Sequence, residues 1–380
     1  MREDQIAAAK EQFESLLREQ LLRQERLARC AESRDYAAAE HIVIGLADGD
    51  GIGPIIMLQA RRAAEKLLAE EIASGRVELR EISGLTIENR LRCAQAVPKE
   101  TLAQIKACDV LLKGPTTTPK GGTLESANVT LRRELDLYAN VRPVSVPEEG
   151  IDWIFFRENT EGEYALGSRG VELPGKLSMD FKVTTDAGTR RIARAAFEYA
   201  RANGKRSVAI VTKANIMKKT DGMFSRIAHE VAADYPEIET EDWYIDIMCA
   251  NLVNPAIRSR FQVFLLPNLY GDIITDEAAQ IQGGVGTAGS ANIGSRYAMF
   301  EAIHGSAPRK IESGEGDYAN PASILKALEM LLRHIALPQK ADRLAEAMRV
   351  CTETERRVVV TGHRDGASCR AFGDYLLEKL

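Results

Sequence analysis

Residues His41–Pro54 read HIVIGLADGDGIGP. A short apolar run, His41–Leu46, leads into the glycine-rich turn Asp48–Pro54, and a helical stretch, Ile55–Glu71, follows. An apolar run of that length, closed by turn residues, reads as a strand buried on both faces. Strand, turn and helix in that order form the repeating unit of a parallel sheet. The pattern returns in ACDVLLKGPTTTP, where Val110–Leu112 is the strand, in RSVAIVTKAN and in FQVFLLPNLYGD. Helical stretches such as Asp186–Asn203 and Asp221–Tyr235 alternate with these strands. The chain therefore reads as α/β with largely parallel strands, and its chemistry is expected in loops beyond their carboxyl ends.

Bulk properties narrow the function. A length of 380 residues suits two domains. The net charge of −5 argues against nucleic acid as the main partner, because no basic excess exists to neutralise phosphates. Cys30, Cys93, Cys108, Cys249, Cys351 and Cys369 form no C-x-x-C pair and no zinc spacing, so they read as reduced, buried or inert thiols. No apolar run approaches the roughly eighteen residues of a membrane span. Glu3, Asp4, Glu11 and Glu14 fit neither a secretory signal nor an acid-poor transit peptide, and a cytoplasmic location is expected.

Residues 1–40 read as one or two helices, with Ile6, Phe13, Leu16, Leu17, Leu21 and Leu27 at roughly helical spacing. Such an arm is expected to pack on the body or on a partner subunit. Ser168–Lys182 contains Gly, Pro and β-type residues and is expected to form a small β element. Gly284, Gly286 and Gly289 satisfy G-x-G-x-x-G, but a helix over Asp276–Gln282 is expected before them and a Gly/Ser-rich coil after them, through Gly294. A Rossmann fingerprint needs the reverse context, so this is read as a decoy.

Several clusters can carry chemistry. Ser126, Asn128, Arg132, Arg133 and Arg142 occur in ESANVTLRRELDLYANVRP, and Arg157 and Tyr164 in FRENTEGEY. Arginine grips carboxylates through a planar fork, so these residues suit a small polyanion; the plainer reading is salt bridges to Glu134, Asp136, Glu158 and Glu161. Lys213 follows a buried strand, where a lysine suits proton transfer if partly withdrawn from water. Asp246 sits in an apolar, helix-like segment, which is costly unless a cation pairs with it. In LPNLYGDIITDEAAQ, Asp272 and Asp276 lie four apart, so on a helix they share a face and repel. Three acids without His or Cys favour magnesium or manganese over zinc.

With these residues assembled, the chain from about His41 onward resembles the β-decarboxylating dehydrogenases, the isocitrate/isopropylmalate dehydrogenase family. The resemblance rests on GDGIGP, LLKGPTTTP, SANVTLRRELDLYANVRP, RENTEGEY, KANIMKKTDGMF, LPNLYGDIITDEAAQ, GSANIG, HGSAP and NPASILKALEMLLRH, all in order. It implies a non-Rossmann two-domain fold with a mostly parallel sheet in the large domain. The expected boundaries are a helical extension at 1–40, a discontinuous cofactor-binding domain at 41–137 and 283–380, and a small domain at 138–282 with a β clasp near 163–183. It implies Ser126, Asn128, Arg132, Arg142 and Arg157 as substrate-binding residues, Tyr164 and Lys213 as catalytic, and Asp246, Asp272 and Asp276 as ligands of Mg2+ or Mn2+. Cofactor contacts are implied for Lys113, Thr118, Glu301, His304, Gly305, Ala307, Arg309, Lys310 and Asn320.

Within that family, Ser126 and Asn128 match the isocitrate pattern, whereas isopropylmalate enzymes are apolar there. The implied reaction is oxidative decarboxylation of isocitrate to 2-oxoglutarate. The implied assembly is a homodimer in which Lys213 and Asp246 complete the partner's site, with an ion relieving the repulsion between Asp272 and Asp276. Arg309 and Lys310 replace the aspartate usual in NAD-using members, which leans to NADP over NAD. Glu312, Glu315 and Asp317 in the same loop, and Arg364 in the tail, keep both cofactors open. The rival readings are isopropylmalate, homoisocitrate or tartrate as substrate, or a non-catalytic regulatory subunit.

Overall fold

The stretch His41–Pro54 forms a fully buried strand, a turn and the start of a helix, Gly53–Leu67. The structure is a computed structural model that describes residues 2–27, 34–119, 121, 124–167, 169–284 and 286–380. Cys30, Ser168 and Val285 of the glycine motif lie outside the described residues. The strands, in chain order, are β1 (Ile42–Ala47), β2 (Val77–Glu81), β3 (Val110–Lys113), β4 (Ala139–Val146), β5 (Ile151–Glu158), β6 (Val171–Leu173), β7 (Leu177–Met179), β8 (Ser207–Thr212), β9 (Glu239–Tyr244), β10 (Val263–Leu266), β11 (Gly289–Ile293) and β12 (Ala298–Ala302). The architecture is α/β with mostly parallel strands and helices between them. The chain divides into two units, Ser33–Leu137 with Ala279–Leu380, and Met1–Glu32 with Tyr138–Ala278.

In the first unit the strand order is β2-β1-β3-β12-β11. All neighbours are parallel except β11 and β12. Every residue of β1, β3 and β12 is buried, as two-sided burial in a parallel sheet requires. The helix Ala322–His334 supplies Ile324, Leu325, Leu328, Leu331 and Leu332 to the core. Its spacing of apolar residues is that of a helix with one buried face.

In the second unit the order is β4-β5-β10-β8-β9. Only β4 and β5 are antiparallel, because residues 147–150 are too few for a crossover. All four residues of β10 are fully buried, and Phe264 stacks on Phe155 at 4.3 Å with Trp153 edge-on at 5.9 Å. The helix Asp186–Ala202 covers this core with Ile192, Ala193, Ala196, Phe197 and Ala200. Thr185 caps it by accepting the Gly188 N–H. β6 and β7 pair as a small antiparallel hairpin. The N-terminal helix Arg2–Leu27 belongs to this unit.

One expectation changes. The stretch expected as coil up to Gly294 contains β11. Its residues are small or polar, yet Ser290 and Asn292 are buried, so it carries no apolar signature. Gly289 is required there, since a side chain would press on the backbone of Ala327 at 2.6 Å. The five described cysteines are free; Cys108, Cys351 and Cys369 are buried and Cys93 is exposed. No described helix is long and apolar enough to cross a membrane.

Candidate active site

The helix Asn268–Ile281 starts directly after β10 and Pro267. Its buried side carries Ile274 and Ala278. The opposite side presents Asp272 and Asp276, whose side chains are 41% and 64% exposed. Each carboxylate faces an arginine from the β4–β5 pair. Arg157 Nη1 pairs with Asp272 Oδ1, and Arg142 Nη1 lies 3.1 Å from Asp276 Oδ1. The two guanidinium groups therefore offset part of the repulsion expected between the two acids.

Arg157 is held firmly. Its Nε and Nη2 donate to Asn268 Oδ1 at 3.0 and 2.7 Å. Its stem lies against Gly271, where a Cβ would come within 2.5 Å of Arg157 Cγ. The guanidinium also sits 5.3 Å from the Tyr164 ring centre, and the Tyr164 hydroxyl donates to Asp272 Oδ2 at 2.7 Å. Arg142 donates further to Thr275 Oγ1 at 2.6 Å. Arg142, Arg157, Tyr164, Asp272 and Asp276 thus form one cluster within the unit. Asn268 and Thr275, which fix the two arginines, were not singled out in the sequence.

Lys213 and Asp246 form a separate pair. Lys213 follows β8, and its Nζ donates to Asp246 Oδ1 at 2.6 Å. Asp246 is in the first turn of the helix Ile245–Leu252, and the Lys213 hydrogen bond holds its carboxyl below the usual carboxylate range. The acid expected to be costly in an apolar segment is in fact exposed and paired. The Lys213 N–H donates to the buried Asp221 Oδ2 at 2.8 Å, so Asp221 fixes the backbone beneath the lysine. Among the described residues no three His, Cys, Asp or Glu side chains come together to hold a metal ion. Asp272 and Asp276 still fit a hard divalent cation: two oxygen donors one helical turn apart, without His or Cys.

In the other unit, Ser126 is the N-cap of the helix Ala127–Glu134, and its side chain makes no capping bond. Asn128 Oδ1 accepts from Thr116 Oγ1 at 3.1 Å. Arg133 is structural, pairing with Glu125 at 2.9 Å. Arg132 Nη2 lies 3.4 Å from Glu301 Oε1, and its Nε is buried without a hydrogen-bond partner. Such an orphaned donor is costly unless something accepts from it. Lys113 and Glu301, both expected to meet the cofactor, face each other: Lys113 Nζ is 3.0 Å from Glu301 Oε2. Burial would raise the Glu301 carboxyl, but Lys113 and Arg132 outweigh it and hold it at about 2.

Three loops beyond β1, β3 and β12 are knitted together. Asp50 accepts the N–H groups of Ile87 and Thr117, both at 2.7 Å, and its own N–H donates to Pro115 O at 2.7 Å. Ile52 N–H donates to Ser306 O at 3.0 Å, and the Thr117 and Ser306 hydroxyls bond at 2.7 Å. Gly51 has φ +58° and leaves no room for a side chain beside Ser306 O. Thr118 and Gly305 are exposed on these loops, and burial pushes the His304 imidazole below its ordinary pKa. Ala307 adopts a left-handed φ of +45° as it opens the short helix Pro308–Glu312. Asn320 Oδ1 accepts the Ala322 N–H at 2.9 Å.

The loop expected to read the cofactor's 2′ position is partly committed. Lys310 Nζ donates to Gly362 O, and Arg364 Nη2 donates to Ser313 O at 3.0 Å. Glu315 faces His363 at 3.4 Å and Arg364 at 4.0 Å. Arg309 is exposed. The tail is thereby brought to the Arg309–Ala319 loop.

Residues 43–376 match the family model described as isocitrate/isopropylmalate dehydrogenase. The chain is 38% identical over 326 residues to a Caenorhabditis elegans protein named probable isocitrate dehydrogenase (NAD) subunit alpha, mitochondrial; this covers 83% of the chain and 86% of that protein. It is 39% identical over 325 residues to an isocitrate dehydrogenase (NADP) of Rickettsia felis, covering 83% of the chain but 64% of that longer protein. It is 41% identical over 309 residues to a chloroplastic 3-isopropylmalate dehydrogenase of Solanum tuberosum, covering 79% and 82%. The crystal structure of isocitrate dehydrogenase from Methylococcus capsulatus superposes with a TM-score of 0.79 at 36% identity, over 89% of this chain and 99% of that one.

Proposed function

Because the chain belongs to the isocitrate/isopropylmalate dehydrogenase family and is a dehydrogenase, we propose that its substrate is isocitrate, converted to 2-oxoglutarate and carbon dioxide. The observation that carries this reading is the polar head of the helix Ala127–Glu134. Ser126 leaves its hydroxyl uncommitted to capping, Asn128 follows it, and Arg132 adds a buried Nε without a partner. Polar donors of that kind suit an additional carboxylate and penalise an aliphatic group, which would leave them unpaired.

Arg142 and Arg157 bind carboxylates through forks that their partners already hold in place, so little ordering remains to be done on binding. Lys213, held against the Asp246 carboxylate and steadied by Asp221 below it, assists removal of the substrate hydroxyl proton, which passes to Asp246. When bound, Mg2+ or Mn2+ held by Asp272 and Asp276 would polarise the hydroxyl and the ketone that follows, and a bound nicotinamide would supply the hydride acceptor. After carbon dioxide has left, Tyr164 delivers a proton to the enol carbon. Its hydroxyl is oriented for this by Asp272 at 2.7 Å.

No third carboxylate of the same chain joins Asp272 and Asp276 among the described residues. That supports a homodimer in which Asp246 and Lys213 serve the other copy. For the cofactor we lean to NADP, supported by the exposed Arg309 with Lys310 and Arg364 in the same neighbourhood. Isopropylmalate is the second reading, favoured by the 41% identity to the plant enzyme. Ser126→Ala separates the two. It is expected to raise KM for isocitrate by about tenfold, on the order of one lost hydrogen bond to a charged group. An unchanged KM would remove Ser126 from the substrate site.

A further inference from the structure

We infer that Arg23, on the N-terminal helix and ahead of the segment 43–376 that matches the family model, is a positioning residue for Tyr164, clamping the loop that carries it. The inference rests on the catalytic reading of Tyr164 given above.

The loop begins at Glu158, the last residue of β5, one position after Arg157, and it reaches Tyr164 within two turns of chain. Both of its first acids are buried, Glu158 and Glu161. Glu158 folds the loop back on itself. It accepts the N–H of Thr160 at 3.0 Å, the N–H of Glu161 at 2.6 Å and the Thr160 hydroxyl at 2.7 Å. Glu161 fastens the loop to the start of the helix Asp186–Ala202, accepting the N–H and the hydroxyl of Thr185 at 2.9 and 2.5 Å. Gly188 is needed in that first turn, because a side chain there would collide with the Glu161 carboxylate. A helix N-terminus favours a carboxylate, but two buried carboxylates side by side still need opposite charge.

Two arginines supply it. Arg191, on the covering helix, donates to Thr160 Oγ1 at 3.0 Å. Arg23 donates to Glu161 Oε1 at 3.0 Å and to Thr160 Oγ1 at 2.9 Å, so one guanidinium spans two loop residues. The Arg23–Glu161 pair is 16% and 3% exposed, which places it where salt screens poorly. Burial and the neighbouring Glu161 push Glu158 up to about 7 even with both arginines present. Without Arg23, Arg191 is the cation left to the two carboxylates among the described residues, and the loop must take up a proton or open.

The rest of the helix is fastened independently. The rings of Phe13 and Phe181 lie 5.5 Å apart, Gln12 donates to Gly170 O at 2.8 Å, and Glu19 pairs with Arg169. Loss of the Arg23 guanidinium therefore releases the loop while the helix stays docked.

The test uses the full chain with Arg23→Met and Arg23→Lys. Arg23→Met is expected to lower kcat on isocitrate about tenfold while KM stays within about twofold, since a displaced proton donor slows a step after binding. Arg23→Lys keeps the charge and is expected to recover kcat to within about threefold of wild type. Hydrogen exchange read on peptides is expected to accelerate over 158–166 in Arg23→Met and to stay unchanged over 3–20. Wild-type kcat and wild-type exchange over 158–166 in Arg23→Met overturn the inference, whatever the melting temperature does. Equal acceleration over 3–20 also overturns it, because Arg23 would then merely dock the helix. If Arg23→Met does not fold, exchange over 158–166 in Arg23→Gln decides: faster than wild type supports the clamp, and identical exchange overturns it. A wild-type chain inactive on isocitrate contradicts the proposed reaction alone, and the exchange data still judge the clamp.

Discussion

Asp272 answers to two demands at once, offsetting the buried Arg157 and orienting the Tyr164 hydroxyl, and in the proposed reaction it would also offer an oxygen to a cation. Only the spacing of Asp272 and Asp276 is visible along the chain. The arginines that make the pair tolerable come from 115 and 134 positions upstream, a separation no periodicity reveals. Asp272→Asn keeps the shape and one acceptor but removes the charge. It is expected to lower kcat/KM at saturating magnesium by about 100-fold or more, as loss of an orienting and electrostatic group does. The helix should survive in circular dichroism. Undiminished turnover would remove Asp272 from the site.

Glu301 makes a further prediction at this scale. Its folded-state value of about 2 lies below the ordinary 4.5. The stability it contributes is therefore fully present above about pH 4.5 and is lost as pH falls toward 2; the sum is on the order of 3 kcal/mol. Glu158 acts in the opposite sense: with its value raised to about 7, its contribution is present below about pH 4.5 and is lost as pH rises through 7. Urea unfolding of wild type is expected to weaken between pH 5 and 3. Glu301→Gln should be weaker at pH 7, because it leaves Lys113 buried and unpaired, and should show a shallower acid slope. An acid slope equal to wild type would exclude the Lys113–Glu301 pair as its source.

Among elements, the buried strands announced themselves. VFLL is apolar throughout and VLLK is apolar up to its terminal Lys113; both are flanked by turn residues, and both are fully buried strands. β11 did not, because GSANI buries serine and asparagine where a core strand would show valine and isoleucine. Its place is set by the helix above it and by Asn292, which donates to Glu301 at 2.9 Å. The helix Asn268–Ile281 offers the sharpest test of packing against propensity. Gly271→Ala would gain about 1 kcal/mol from helix propensity. The new methyl, however, would sit 2.5 Å from the buried stem of Arg157, and such overpacking costs about 1–3 kcal/mol. Strain is expected to win, giving a net loss in urea unfolding together with weaker isocitrate binding. A stabilised, fully active Gly271→Ala would show that Arg157 is free to shift.

At the scale of the whole molecule, the alternation of strand, turn and helix was enough for the fold class, and the ordered motifs were enough for the family. The clamp on the Glu158–Tyr164 loop was not legible, since Arg23 sits in a charged helix among many charges and its partners lie 137 and 138 positions away. Charge counting reads such a residue as a solvated surface group; only the fold makes it the countercharge of a buried carboxylate. The most direct test of the proposed chemistry is a steady-state assay of the purified chain with magnesium, comparing isocitrate with 3-isopropylmalate and NADP with NAD. Expected is a kcat/KM for isocitrate at least about 100-fold above that for 3-isopropylmalate, the size of discrimination that unpaired polar groups impose, with turnover lost on chelation of the metal. A preference for 3-isopropylmalate, or turnover that survives chelation, would contradict it.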